Sequence, residues 1–324
     1  MSREELTATQ DRIAPYIHRT PVLTSSRLNH LSGAQLYFKC ENFQRTGSFK
    51  MRGASNAVAS LGPDEQAKGV VAHSSGNFAQ AVALAARMNG VDAHIVMPDN
   101  APSVKREATI GYGATVYTSG PRALDREEMA DAVQEKTGAV MLHPSNQWEV
   151  ILGQGTSAME LIEDVDDLDY VMTPVGGGGL IAGTAMAVTY FAPQAKVIGA
   201  EPAAADDAFR SLRSGRIEMN ETADTIADGL RTHLGDVNFP IIQRHVDSII
   251  CVEEREIIHA LRLVWETMKI IIEPSCALPL AAVLKDKERF KGKRVGLILT
   301  GGNVDMDTLW PQIRSLEQEL GVND

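Results

Sequence analysis

Short β-branched runs alternate with longer helical patterns along most of this chain, and that alternation leaves few folds open. Residues 70–73, 93–97, 114–118, 139–142, 170–175, 196–200, 248–252 and 294–300 read as strands. Between them, residues 77–89, 126–136, 155–163, 180–191, 254–269 and 276–286 carry helical periodicity, with Gly90 and Gly138 as stops. Strand, helix, strand repeated in this way is the α/β pattern and implies a mostly parallel sheet. Such sheets bind ligands at the carboxyl ends of their strands, where the chain turns into a helix. The spacing tightens between about residues 65 and 145. We therefore expect a small domain over 65–146 and a larger one from 1–64 and 147–324, with the site between them. No repeat, low-complexity tract or long linker interrupts the pattern.

The bulk properties narrow the partners. The chain has 324 residues, 44% hydrophobic and 23% charged, enough for two domains with cores of their own. A net charge of -11 argues against nucleic acid and against an anionic membrane surface. No apolar run reaches membrane-spanning length, and the start, Met1-Ser2-Arg3-Glu4-Glu5, does not read as a signal peptide. Cys40, Cys251 and Cys276 are scattered and odd in number, as expected of reduced thiols in a cytoplasm rather than of a disulfide frame or zinc cluster. The eight histidines show no spacing suited to a metal.

Four turns carry candidate chemistry. Gly47-Ser48-Phe49-Lys50-Met51-Arg52-Gly53-Ala54 places a lysine on a short polar turn ahead of a helix expected to begin near Arg52. A single lysine is ordinarily a solvated surface cation; its neighbours argue otherwise. Val175-Gly176-Gly177-Gly178-Gly179-Leu180 follows a strand and opens a helix, so its backbone N–H groups and the helix dipole can gather round an anion. Gly177, Gly179 and Ala182, with Glu201 about twenty residues on, loosely fit a dinucleotide fingerprint. A phosphate monoester held by backbone alone fits at least as well. In Ser74-Ser75-Gly76-Asn77, Asn77 can cap a helix or donate its amide to a phenolate oxygen. In Thr300-Gly301-Gly302-Asn303, Thr300 either ends a strand or offers its hydroxyl to a pyridine nitrogen.

A lysine for an imine, a backbone phosphate cup, an amide for a phenolate and a hydroxyl for a pyridine nitrogen together describe pyridoxal 5'-phosphate. On these residues the chain resembles the serine racemase, threonine dehydratase and 3-hydroxyaspartate dehydratase group of the fold-type II, tryptophan-synthase-β-like pyridoxal-phosphate enzymes. The matching segments run in order from residue 20 to 305: Thr20-Pro21-Val22-Leu23-Thr24-Ser25-Ser26, Glu41-Asn42-Phe43-Gln44, the lysine turn, His73-Ser74-Ser75-Gly76-Asn77, Gly153-Gln154-Gly155-Thr156, the glycine quartet, Glu201-Pro202, Ile226-Ala227-Asp228-Gly229 and Gly301-Gly302-Asn303-Val304-Asp305. The resemblance implies two open, mostly parallel sheets flanked by helices. It implies Lys50 as the cofactor-bearing lysine and the base on one face of the substrate, with Ser75 as the acid/base on the other. Phe49 would lie by the ring, Asn77 at its 3'-oxygen, Gly176, Gly177, Gly178, Gly179 and Leu180 at the phosphate, and Thr300 at the ring nitrogen. A neutral donor such as Thr300 leaves that nitrogen unprotonated and weakens the ring as electron sink, which favours β-elimination over transamination.

The resemblance also implies a magnesium, calcium or manganese site at Glu201, the carbonyl of Ala205 and Asp207, hard oxygen ligands suited to such ions; the alternative is a solvated acidic loop. ATP between the subunits of a homodimer is a further option, on Ser25, Ser26, Gln80, Tyr112, Lys269 and Asn303, with Arg27 and Arg45 departing from the pattern. The substrate carboxylate should meet Ser74, Ser75 and Asn77 at a helix N-terminus. Phe78 stands where the group usually has histidine, Ser145 where it often has a polar cofactor contact, and Trp148 where proline is common. Arg126 resembles the arginine that holds a second carboxylate, or is a helix-surface residue among Asp125, Glu127 and Glu128. The expected activity is dehydration of a 3-hydroxy amino acid (3-hydroxyaspartate, serine or threonine) with release of ammonia. The alternatives are a serine or aspartate racemase on the same Lys50/Ser75 pair and a phenylserine-type dehydratase. The chain carries no sizeable extension after Asp305, so isoleucine feedback is not expected.

Overall fold

The computed structural model describes residues 2–74, 76–101 and 103–319, with the side chains of residues 104 and 123 left aside. Its strands are β1 (Val22–Leu23), β2 (Gln35–Cys40), β3 (Val70–His73), β4 (Ala93–Pro98), β5 (Thr115–Ser119), β6 (Val140–Met141), β7 (Tyr170–Pro174), β8 (Lys196–Pro202), β9 (Ser248–Val252) and β10 (Arg294–Leu299). They form two sheets. The larger runs β1-β2-β10-β7-β8-β9 and is parallel except for the short β1–β2 pair. The smaller runs β5-β4-β3-β6, all parallel, and all its strands lie between residues 70 and 141. Helices flank both sheets, as right-handed crossovers between parallel strands require.

The eight expected strands are present, most within one or two residues of the expected ends. β1 and β2 are additional. The run Gln-Leu-Tyr-Phe-Lys-Cys hides its strand character behind a lysine, yet Lys39 is fully buried. Its Nζ pairs with Glu160 at 2.7 Å and donates to the Thr20 carbonyl at 2.8 Å, so the charge is compensated inside. The helix expected near Arg52 begins earlier, at Lys50, and runs Lys50–Ala59. Lys50 therefore sits on the first turn of a helix, not on a free loop.

The helix expected from residue 155 is Trp148–Asp164 and carries Gly153 and Gly155 in its interior. Glycine inside a helix costs about 1 kcal/mol relative to alanine. Packing explains both. A Cβ at Gly153 would stand 2.4 Å from the Arg52 carbonyl oxygen, and one at Gly155 would stand 2.7 Å from that of Gly183. Gly183 in the Gly179–Phe191 helix returns the fit, since its Cβ would be 2.4 Å from the Ile151 oxygen. Three helices thus touch backbone to backbone, which brings the Lys50 helix and the helix behind the glycine quartet onto one support.

Arg52 fixes the same junction electrostatically. It is fully buried, and all five of its N–H donors have acceptors. Nε and Nη2 bind Glu41 at 2.7 and 2.8 Å; Nη1 and Nη2 bind the two Glu160 oxygens at 2.8 Å each; Nη1 also reaches Thr156 Oγ1 at 3.2 Å. Thr20 donates to Glu41 at 2.6 Å.

The packing account predicts that Gly153→Ala lowers stability by about 1–3 kcal/mol through overpacking. Gly111→Ala, where an added Cβ meets nothing within 4 Å, is the control and should not be destabilised. Thermal melts of the two variants compare them directly; equal midpoints would contradict the close-packed junction.

Candidate active site

The four turns singled out in the sequence meet at the carboxyl ends of β3, β6, β7 and β10. Ser48 bridges to Gly301, and the Phe49 N–H donates to the Thr300 carbonyl at 2.9 Å, so the lysine turn lies along the end of β10. Lys50 Nζ, 4.9 Å from the centroid of the Phe49 ring, donates to the Pro144 carbonyl at 2.8 Å. Gln154 donates to that same carbonyl at 3.2 Å, while its Oε1, buried and without a partner, faces Gly179. The lysine, the loop after β6 and the glycine quartet therefore share one cleft.

Burial depresses the Lys50 pKa to about 8, against the opposing pull of the Glu273 carboxylate. At pH 7 about a tenth of the side chain is then free amine, against well under a thousandth for an ordinary lysine. That is the state a carbonyl-capturing, proton-abstracting lysine needs. His143, on the loop after β6, is held down to about 4 by burial and by the charges of His73 and Lys50. Its Nδ1 accepts from the N–H groups of Ser145 and Asn146 at 3.2 and 2.8 Å, so it acts as a neutral brace for the loop.

The glycine quartet is steric as well as flexible. Gly178 adopts φ +80° as the cap of the Gly179–Phe191 helix, a conformation that favours glycine. A Cβ at Gly177 would lie 2.4 Å from Ser145 Oγ, and one at Gly179 would lie 2.7 Å from the Ser145 carbonyl oxygen. Asn238 staples the two loops, donating to the Gly177 carbonyl at 2.8 Å and to that of Ser145 at 3.1 Å. Leu180 packs in the core behind the loop. Asn238 has no signal in the sequence, because it lies in irregular chain between Gly235 and the Phe239–His245 helix.

Asn77 begins the Asn77–Asn89 helix but does not cap it. Its amide nitrogen donates to both oxygens of Glu273 at 3.1 and 3.0 Å, and its oxygen accepts from Asn303 at 2.9 Å. Glu273 also escaped the sequence reading, since Ile-Ile-Glu-Pro looks like an ordinary helix start. Thr300, 3% exposed, contacts the Cys276 thiol at 3.1 Å, and burial pushes that thiol far above its ordinary range, so it stays neutral. Ser74 Oγ accepts from the Gly76 N–H at 3.3 Å. Ser75, expected as the second acid/base, lies outside the described residues. Phe78, expected to line the substrate pocket, is 2% exposed and packs with the core under the small sheet, its ring centroid 5.8 Å from Lys50 Nζ. Arg126 is half-buried, bonds the Pro121 carbonyl at 3.3 Å, and its charge helps to lower the pKa of His73 at the end of β3. Trp148 starts its helix half-buried against the core of the large sheet.

Glu201 and Asp207 form a second, separate cluster at the end of β8. Each is 1% exposed. Glu201 accepts from the N–H groups of Ala208 and Phe209 at 2.9 and 2.8 Å; Asp207 Oδ1 accepts from Asn220 at 2.6 Å. Asp207 Oδ2 is buried and has no partner. Burial and the neighbouring Asp207 push Glu201 well above the carboxylate range, and burial also raises Asp207. Among the described residues no cluster of three or more His, Cys, Asp or Glu side chains is placed to hold a metal, so any cation here rests on two carboxylates and backbone oxygen.

These residues fit pyridoxal phosphate: an amine whose neutral form burial makes accessible, a backbone cup in which a side chain would collide, and neutral donors at Asn77 and Thr300. Comparison with known proteins agrees. Residues 13–301 match the family described as pyridoxal-phosphate dependent enzyme. The chain is 48% identical over 306 residues to the beta-hydroxyaspartate dehydratase of Paracoccus denitrificans, covering 94% of this chain and 97% of that protein. It is 48% identical over 297 residues to the L-threo-3-hydroxyaspartate ammonia-lyase of Saccharomyces cerevisiae, covering 91% of each. The crystal structure of serine racemase from Dictyostelium discoideum superposes with a TM-score of 0.89 at 50% identity, over 93% of this chain and 98% of that one. The two parallel-rich sheets are thus the fold-type II arrangement, and the chain belongs to the pyridoxal-phosphate dependent enzyme family.

Proposed function

We propose that the protein dehydrates a 3-hydroxy amino acid, releasing water and then ammonia to leave a 2-oxo acid. The observation that carries this reading is the convergence of a lysine with depressed pKa, a backbone phosphate cup and the neutral hydroxyl of Thr300 in one cleft. Bound there, the cofactor supplies the electron sink for the carbanion formed at Cα. Lys50 Nζ takes the Cα proton. The backbone of Gly176 to Gly179 holds the phosphate at the start of a helix, and the Ser74-to-Asn77 turn receives the substrate carboxylate in the same way. As the Cα–H bond breaks the β-hydroxyl takes up the proton that Lys50 has received and departs as water. The resulting enamine tautomerises to an imine, which water hydrolyses to the 2-oxo acid and ammonia.

Arg126 supports 3-hydroxyaspartate as the substrate. Its charge is felt at His73, at the carboxyl end of β3, and bidentate arginine pairing suits a second carboxylate. Serine and threonine are the other candidates. Likeness to the Dictyostelium serine racemase favours racemisation as a second activity of the same cleft, with Ser75 acting on the face opposite Lys50. Burial of Phe78 counts against the phenylserine-type alternative, because it does not enlarge an aromatic pocket.

The rest of the reading concerns assembly and ions. We assign residues 65–146 to a small domain built on the smaller sheet and 1–64 with 147–324 to a large one. The protein is read as a cytoplasmic homodimer; its three cysteines are free, and among the described residues no helix is long and apolar enough to cross a membrane. Sedimentation at the monomer mass would contradict the dimer. Magnesium, or calcium or manganese, is assigned to Glu201, the Ala205 carbonyl and Asp207, supported by the unpartnered Asp207 Oδ2. ATP is a further option on Ser25, Ser26, Gln80, Tyr112, Lys269 and Asn303, with Arg27 and Arg45 departing from that set.

Three measurements test these readings. Ammonia release should be fastest with one 3-hydroxyaspartate diastereomer, and Arg126→Ala should lower that rate at least tenfold with little effect on serine; unchanged hydroxyaspartate turnover would reject the arginine. Chiral analysis of recovered substrate that showed racemisation without 2-oxo acid would replace the dehydratase by the racemase. Chelator should lower the melting temperature and added magnesium or calcium restore it, by about 2.7 kcal/mol at a hundredfold excess over Kd. Asp207→Asn should abolish that response; a variant that still responds would move the ion elsewhere.

A further inference from the structure

Glu273 stands at the N-cap of the Pro274–Lys285 helix, yet its side chain caps nothing. A carboxylate at that position ordinarily accepts from the N–H groups of its own helix. Here both oxygens turn away, 3.1 and 3.0 Å from Asn77 Nδ2. The residue is only 5% exposed, so the interaction is made out of water. Gly301 is shaped to admit it: a Cβ there would stand 2.9 Å from Glu273 Oε1. The Glu273 N–H in turn donates to the Gly301 carbonyl at 3.0 Å.

The far end of Asn77 is fixed as well. Its Oδ1 accepts from Asn303 Nδ2 at 2.9 Å, and Asn303 also donates to the Thr46 carbonyl at 2.7 Å. The amide therefore has one allowed orientation, oxygen toward Asn303 and nitrogen toward Glu273. An amide nitrogen carries two hydrogens. The Glu273 oxygens straddle one and leave the other for the ring site. Asn77 follows the small-sheet strand β3, whereas Glu273 and Asn303 flank the large sheet, so this contact also ties the two sheets together across the cleft.

We propose that Glu273 is a positioning residue for the cofactor: it aims one hydrogen of the Asn77 amide at the ring's phenolic oxygen, and its negative charge favours the protonated form of the linkage at Lys50. This rests on the cofactor placement given under the proposed function. The groups facing Glu273 are Asp228 and Lys105, themselves paired at 3.2 Å, together with Lys50, Asn77 and the neutral Cys276 thiol. Burial, then repulsion from Asp228, raises the carboxyl to about 7, while the Asn77 bond, Lys105 and Lys50 pull it back. Above that pH the carboxylate is ionised beside the lysine. An anion there stabilises a cationic neighbour, so removing it must lower the neighbour's pKa.

The test uses the whole protein and pyridoxal phosphate itself. The absorbance of the lysine-bound cofactor is titrated against pH, and cofactor affinity is measured on the apoprotein, for wild type, Glu273→Gln and Glu273→Ala. Glu273→Gln should move the spectral midpoint down by about one unit, a tenfold change in the protonation equilibrium. Glu273→Ala should weaken cofactor binding about tenfold by freeing the Asn77 amide. Midpoint and affinity both equal to wild type would overturn the proposal, and a fall in melting temperature without either change would show a merely structural residue. Should the alanine variant fail to fold, the near-isosteric glutamine variant decides. A wild-type protein with no cofactor band would instead refute the cofactor placement, before any variant is compared, and the role of Glu273 with it.

Discussion

The buried guanidinium of Arg52 is the contact on which the rest of the site depends. Its five donors join Glu41 at the end of β2 to Thr156 and Glu160 on the Trp148–Asp164 helix, two residues beyond Lys50. A buried charge of this kind is tolerable only when every hydrogen has an acceptor. Removing one partner from such a set costs about 3–5 kcal/mol, because the remaining charge stays in the interior unpaired. The helix that begins with Lys50 is therefore held in rotation and in register. The glycine contacts at Gly153, Gly155 and Gly183 hold its neighbours at the same junction.

With the lysine's position fixed from below, its chemistry is set by what surrounds the tip. Burial favours the neutral amine, and the Glu273 carboxylate opposes it. His143 stays neutral and adds no second proton carrier beside it. Asn77 and Thr300, the donors assigned to the ring under the proposed function, are both uncharged. On the proposed placement of the cofactor, Lys50 would act as the base at Cα and Thr300 would offer a hydroxyl to the ring nitrogen, an arrangement suited to elimination of a β-hydroxyl.

Much of this was legible in the sequence. The eight principal strands follow from β-branched runs between turn residues, and the lysine turn, the glycine quartet, Asn77 and Thr300 announce themselves by residue type at strand ends. What stayed hidden has a common cause: residues whose partners are remote in sequence. Lys39 masks β2 because its ion pair with Glu160 lies 121 positions away. Gly155 looked like a helix start and Gly153 fell outside the expected helix, because the backbone they admit belongs to Gly183 and Arg52. Glu273 carried no signal of its own, because the partner that gives it meaning, Asn77, lies 196 residues earlier. Glu41 and Thr156, matched as parts of family motifs, accept from Arg52, and Thr20 supports Glu41.

The central claim is that Lys50, and no other lysine, carries the cofactor. Borohydride reduction of the pyridoxal-phosphate-loaded protein, followed by peptide mapping by mass spectrometry, tests it most directly. The account predicts a single phosphopyridoxyl adduct on the peptide containing Gly47-Ser48-Phe49-Lys50, absent from Lys50→Ala. An adduct on a different lysine, or none on the loaded wild-type protein, would contradict it.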